Sequence, residues 1–171
     1  MEFPFPDRQS IRLPGYDYGM PGAYFISIVV FDRLPLFGQI INGTVELSAY
    51  GQIVTEEWLK TPIVRPEITL DEYIVMPDHF QAIIWIGNVG AGGCPPGGGE
   101  TGQKNPIGGP IPKSLSTLIS QFKATTTRRI NESRNTPGQK IWQRNYHDKI
   151  IHNEVQLDKI RIYIRNNPKN A

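Results

Sequence analysis

Two apolar runs around a Pro-Asp turn restrict this chain more than any other stretch. Tyr73-Ile74-Val75-Met76 leads through Pro77-Asp78 into His79-Phe80-Gln81-Ala82-Ile83-Ile84-Trp85-Ile86. β-Branched and aromatic residues dominate both runs, which predicts two buried strands joined by a tight turn. Side chains alternate along a strand, so His79 and Gln81 share a face with Ile83 and Trp85. A polar pair at the mouth of an apolar strand needs a reason. Either neighbours satisfy it in a turn, or it is there for chemistry.

The rest of the chain supplies partners for that pair of strands. Residues 1–22 carry repeated Pro and Gly and read as an irregular arm. Ala23 to Phe31 is a strand apolar on both faces, hence central. Gln39–Ile41 and Thr44–Leu47 flank Asn42-Gly43, the preferred pair for a tight hairpin. Ser48 to Leu59 predicts a helix that Ser48 caps and Thr61-Pro62 ends. Glu67 to Leu70 leads into the paired strands.

From about 87 to 112 the composition turns to Gly and Pro, which predicts a flexible insertion. Its glycines precede no Gly-Lys-Ser/Thr, so it is not a phosphate-binding loop. Ser114 to about Arg134 follows helical spacing, with Ser114 as cap. Lys140 to Ile151 contains a strand. Asn153 starts a last helix, with Gln156 three residues on in the manner of a capping box. Leu157, Ile160 and Ile164 form its core stripe, while Lys159, Tyr163 and Asn167 share another face. An antiparallel-leaning sheet of four or five strands with three helices makes an α+β chain.

At 171 residues, a single domain spanning 1–171 is expected, with the insertion as a loop. No run reaches membrane-spanning length and no signal-peptide layout opens the chain, so a cytoplasmic protein is expected. The single cysteine, Cys94, excludes an intramolecular disulfide. Residues 1–112 hold 6 Lys/Arg against 12 Asp/Glu, and residues 113–171 hold 12 against 4. Either the basic half meets an acidic partner, nucleic acid first, or the halves interleave and the charges mix. His79 alone reads as a satisfied core or turn histidine ahead of a ligand, and Tyr163 alone as a packing tyrosine.

The block Tyr73-Ile74-Val75-Met76-Pro77-Asp78-His79-Phe80-Gln81 resembles the Val-Met-Pro-Asn/Asp-His-hydrophobic-His signature of single-tyrosine transposases in the HUH nuclease superfamily. Ile141-Trp142-Gln143-Arg144-Asn145-Tyr146-His147-Asp148-Lys149-Ile150-Ile151, with Tyr163-Ile164 and Asn166-Asn167-Pro168, resembles the C-terminal signature of REP-associated tyrosine transposases. So do Ile11-Arg12-Leu13-Pro14-Gly15-Tyr16-Asp17-Tyr18, Pro21-Gly22-Ala23-Tyr24-Phe25 and Lys113-Ser114-Leu115.

The resemblance implies a ferredoxin-like antiparallel sheet with helices packed on one side. It implies a metal-binding pair at His79 and Gln81, completed by Asn167, and a nucleophile at Tyr163. Tyr163 would cut single-stranded, hairpin-forming DNA through a 5′-phosphotyrosine link, with Mg²⁺ or Mn²⁺ on the phosphate. One residue departs from the pattern: Gln81 stands where the family has its second histidine. An amide oxygen is a weaker ligand than imidazole for Mn²⁺, though acceptable to Mg²⁺. The implied alternatives are a transposase, impaired or intact, and a decayed or domesticated one that binds DNA without cutting. Lys123, Arg128, Arg129, Arg144 and Lys159 are candidate phosphate contacts, and Trp142 and Tyr146 candidate stacking residues, with core packing the other reading of Trp142. A monomer holding its last helix in cis and a homodimer exchanging it are both open.

Overall fold

The structure is a computed structural model, and it describes residues 21–87 and 114–169. The expected N-terminal arm with its 11–18 motif, the Gly/Pro insertion with Cys94, and Lys113 lie outside the described residues.

The central strand is β1 (Gly22–Val29), apolar on both faces as its composition requires. A hairpin follows, β2 (Gly38–Ile41) and β3 (Thr44–Leu47), forming its own two-stranded sheet. Its turn residues Asn42 and Gly43 have φ of 51° and 72°. A two-residue hairpin turn needs both central residues in that left-handed region, which Asn and Gly tolerate best. Helix α1 (Ala49–Leu59) starts where Ser48 Oγ accepts the Gly51 N–H at 3.2 Å. Pro62 does not lead straight into loop. It sits in the first turn of a short helix, α2 (Thr61–Val64), where no intrahelical N–H is required.

Strands β4 (Ile68–Val75) and β5 (His79–Ile86) flank the Pro-Asp turn, and α3 (Leu115–Arg134) is capped by Ser114. Strand β6 (His147–Ile151) precedes α4 (Glu154–Asn166). Asn153 Oδ1 caps α4 by accepting the Gln156 N–H at 2.8 Å, and Gln156 Oε1 accepts the His152 N–H at 3.0 Å.

The main sheet runs β4-β5-β1-β6, with every neighbouring pair antiparallel. That order, with α1 before β4 and α3 between β5 and β6, is ferredoxin-like. Strand alternation divides the apolar residues between two faces. On one face Tyr24, Ile26, Ile28, Phe80 and Ile84 pack with Val54 and Trp58 of α1 and with Leu118, Ile119 and Phe122 of α3. Trp58 is its hub, with ring centroids 4.9 Å from Phe80 and 5.3 Å from Phe122.

The expected helix layer on one side of the sheet is this pair, α1 and α3. Helix α4 lies against the other face, where Leu157 and Ile164 join a smaller cluster of Ala23, Ile83 and Ile151. Among the described residues no helix is long and apolar enough to cross a membrane.

Candidate active site

The turn before β5 is anchored from three sides. Met76 N–H donates to the His79 carbonyl at 2.8 Å, Val30 N–H to the Asp78 carbonyl at 2.8 Å, and Phe37 N–H to the Pro77 carbonyl at 3.0 Å. His79 is thereby held at the sheet's end, opposite Val29, with Gln81 one row inward opposite Ser27. His79 Nδ1 lies 2.6 Å from Asp78 Oδ1. A carboxylate only accepts, so the pair holds the imidazole proton on Nδ1 and leaves the Nε2 lone pair pointing away. That lone pair faces Asn167, whose Nδ2 is 3.3 Å from it and 2.8 Å from Gln81 Oε1.

Gln81 is buried, 6% exposed, and its amide bonds to Tyr163 of α4 and to Asn167, the residue that caps the helix's C-terminus. Its Nε2 donates to Tyr163 Oη at 3.4 Å. Tyr163 is half exposed and rests edge-on against Phe25, ring centroids 6.4 Å apart. The four residues expected to form a site are therefore in one place, within one chain. Helix spacing explains half of this, since Tyr163 and Asn167 are one turn apart.

What holds α4 in register was not foreseen. The β4–β5 pairing shifts between Leu70 and Tyr73. The consecutive acids Asp71 and Glu72 there both reach α4. Arg161 Nε and Nη2 donate to the two Asp71 carboxylate oxygens at 2.9 and 2.6 Å, and Trp85 Nε1 adds a third hydrogen bond at 3.1 Å. Arg165 pairs with Glu72. Burial pushes the Asp71 carboxyl up, but the hydrogen bonds from Arg161, Trp85 and the Glu72 N–H outweigh it and leave it below the usual carboxylate range. The Asp71 hydrogen bond raises the Arg161 guanidinium further. Arg161 and Arg165, an i, i+4 pair, were the available signal. Asp78 was a second residue missed, although it precedes the histidine directly.

The expected DNA contacts divide into two sets. Lys123 Nζ donates to the carbonyls of Gln143, Arg144 and Asn145 at 2.9, 3.3 and 3.1 Å and lies 5.7 Å from the Tyr146 ring centroid. Burial lowers its amine to about 8. Arg129 donates to Glu57 and Glu56, both at 2.7 Å. Trp142 is buried, with Nε1 donating to Thr126 Oγ1 at 2.8 Å and its ring 4.9 Å from Phe37. These three side chains are engaged inside the protein, so Trp142 belongs to the core and offers no open face to a base. Arg128, Arg144 and Lys159 are exposed, and Tyr146 is half-buried. Arg128 and Arg144 line a groove of about 810 Å³ between α3 and residues 137–144, while Lys159 stands one turn before Tyr163.

Residues 107–167 match the sequence profile of the family described as "Transposase IS200 like". A protein of Haemophilus influenzae (strain Rd), described as uncharacterized, is 34% identical over 161 residues, spanning 94% of this chain and 88% of the relative. Over residues 107–167 the chain carries the IS200-like transposase signature. The profile match takes in Tyr163 and Asn167, and the site joins them to His79 and Gln81 outside it. The transposase fold is also seen in a solved structure described as the REP-associated tyrosine transposase bound to a REP hairpin. It is similar over 95% of this chain and 74% of that one, with a TM-score of 0.60 and 16% identity.

Proposed function

We propose that this IS200-like protein cuts and rejoins single-stranded DNA next to a hairpin, with Tyr163 as nucleophile. The observation that supports this reading is the convergence of Tyr163 of α4 and Asn167 at its C-cap on His79 and Gln81 of β5. A hairpin partner is supported by the fold neighbour, which is described as bound to one. Lys159, Arg128 and Arg144 are exposed at the surface, where phosphates can reach them.

In the proposed reaction Tyr163 Oη attacks phosphorus. The bond from phosphorus to the 3′-oxygen breaks, giving a 5′-phosphotyrosine and a free 3′-hydroxyl. Gln81 Nε2 donates to the phenol oxygen, which orients it and leaves the phenol's own proton free to depart, the 3′-oxygen taking up a proton as it leaves. Gln81 is thus a positioning group as well as a replacement for a histidine. The residues that would hold Mg²⁺ or Mn²⁺ are His79 through Nε2, Gln81 through Oε1, and Asn167 through its amide. Both acceptors already converge on the Asn167 NH₂ group, and Asp78 fixes the tautomer a metal-bound histidine needs. The donors are all neutral, so the fit is to a loosely held hard cation that relies on the phosphate for negative ligands. When bound, it would neutralise charge on the phosphate and stabilise the leaving oxygen.

A second reading, binding without cutting, rests on Gln81 alone. The test is an oligonucleotide with a hairpin and single-stranded flanks, incubated with Mn²⁺ or Mg²⁺. Active protein gives a covalent adduct that Tyr163→Phe abolishes, and Gln81→His raises the yield in Mn²⁺. If neither the wild type nor Gln81→His cuts, while both bind the hairpin, the non-catalytic reading stands instead.

A further inference from the structure

Helix α4 covers only part of its face of the sheet. It packs mainly on β4 and β5 and meets β1 and β6 only through Ala23, Phe25 and Ile151, clamped at its β4 flank by Arg161 and Arg165. Two residues of β1 are left less than fully buried, Phe25 and Ser27, and both lie on this face. The sheet register carries the uncovered surface outward. Ser27 stands between Gln81 and His147, and Phe25 between Ile83 and Lys149. Cross-strand partners share a face, so His147 and Lys149 project on the same side as Gln81 and Tyr163. Both are exposed, and among the described residues β6 is an edge strand, so within them the surface is open at that side. Lys159, one turn from Tyr163, is exposed on the α4 side. None of the three makes a side-chain hydrogen bond or ion pair among the described residues.

We infer that this uncovered half-sheet is the track along which a single DNA strand reaches Tyr163, an inference that rests on the DNA-cutting reading above. Phe25 and Ser27 form its floor, His147 and Lys149 its outer wall, and Lys159 its inner one. The occupant follows from charge and shape. Two lysines and an imidazole face a strip of β-sheet too shallow for a duplex, with an aromatic ring beside the tyrosine. His147 and Lys149 are two residues apart, about 7 Å along the strand, enough to engage neighbouring backbone groups of an extended strand. The groove at Arg128 and Arg144 lies by α3, on the other face, and would take a separate part of the DNA.

The test uses the full chain carrying Tyr163→Phe, so that binding is read without cutting. Affinity for a hairpin with a single-stranded flank is measured by fluorescence anisotropy across a salt series. Lys149→Glu should weaken binding by about tenfold or more, and Lys149→Ala should flatten the log–log salt slope by about 0.7 for one lost single-strand phosphate contact. Shortening the flank to leave only the hairpin should erase the difference between parent and variants. Equal affinity and slope in parent, Lys149→Glu and His147→Ala, with the parent binding, overturns the track and leaves the DNA reading intact. So does a loss confined to Arg128→Ala and Arg144→Ala. A parent that binds no DNA overturns both.

Discussion

Replacing Asp71 with Asn should release α4 from the sheet more than it should unfold the protein. Asp71 accepts from Arg161 through both carboxylate oxygens and from Trp85 Nε1, and its side chain is only 12% exposed. Asn keeps one acceptor and turns an NH₂ group towards a guanidinium that can only donate. Hydrogen bonds to a charged group contribute about 1.5–3 kcal/mol. The Arg161 side chain is 30% exposed, so solvent screens part of this, and about 2 kcal/mol is the expected loss. That corresponds to roughly a 30-fold shift in the ratio of docked to undocked helix.

Amide hydrogen exchange in 157–166 should quicken by that factor, while Tyr24, Ile26 and Ile84 keep the protection of the main core. Cleavage should slow with little change in DNA affinity. Asp158→Asn, at an exposed partner of Arg161, is the control and should change little. The pH dependence has a defined sign. The folded-state carboxyl is depressed, so its contribution is complete above the ordinary carboxylate range and is lost as pH falls through the lowered one. Asp71→Asn should lack that acid limb. Unchanged exchange in α4, or exchange that quickens equally throughout the sheet, would refute the clamp.

Asp78→Ala removes the acceptor that fixes the His79 proton on Nδ1, and should weaken the divalent-ion affinity that supports cleavage by about 10- to 100-fold. Lys123→Met leaves the carbonyls of Gln143, Arg144 and Asn145 without their shared donor. Urea titration should show a loss of about 1.5–3 kcal/mol. Trp58→Ala empties the hub of the main core and should cost about 3–5 kcal/mol by the same measurement. Tyr163→Phe removes the acceptor of the long Gln81 Nε2 hydrogen bond and should cost about 0.5–1.5 kcal/mol in the same titration.

Most of the site was legible in the sequence for local reasons. Alternation in β5 puts His79 and Gln81 on one face, and helical spacing does the same for Tyr163 and Asn167. That the two pairs meet came from resemblance, since nothing local joins residues more than 80 positions apart. The clamp was not legible. Its acids lie at a register shift, where alternation fails as a guide to direction. The uneven charge was partly resolved by interleaving: Arg129 pairs with Glu56 and Glu57, Arg161 with Asp71, and Arg165 with Glu72. Trp142 illustrates the limit in the other direction. Its motif suggested a surface for bases, while an isolated bridge from Val30 to Trp142 draws it beneath α3.

The division of the apolar residues between a large cluster and a small one has an evolutionary consequence. Substitutions that loosen Leu157 or Ile164 disturb the smaller group, to which the tyrosine's helix belongs, and leave the packing around Trp58 intact. On the proposed reading, a lineage can therefore lose strand cutting and keep the foldable scaffold. In such a lineage, drift should collect along α4 and at Gln81 before it reaches the interior around Tyr24 and Phe80.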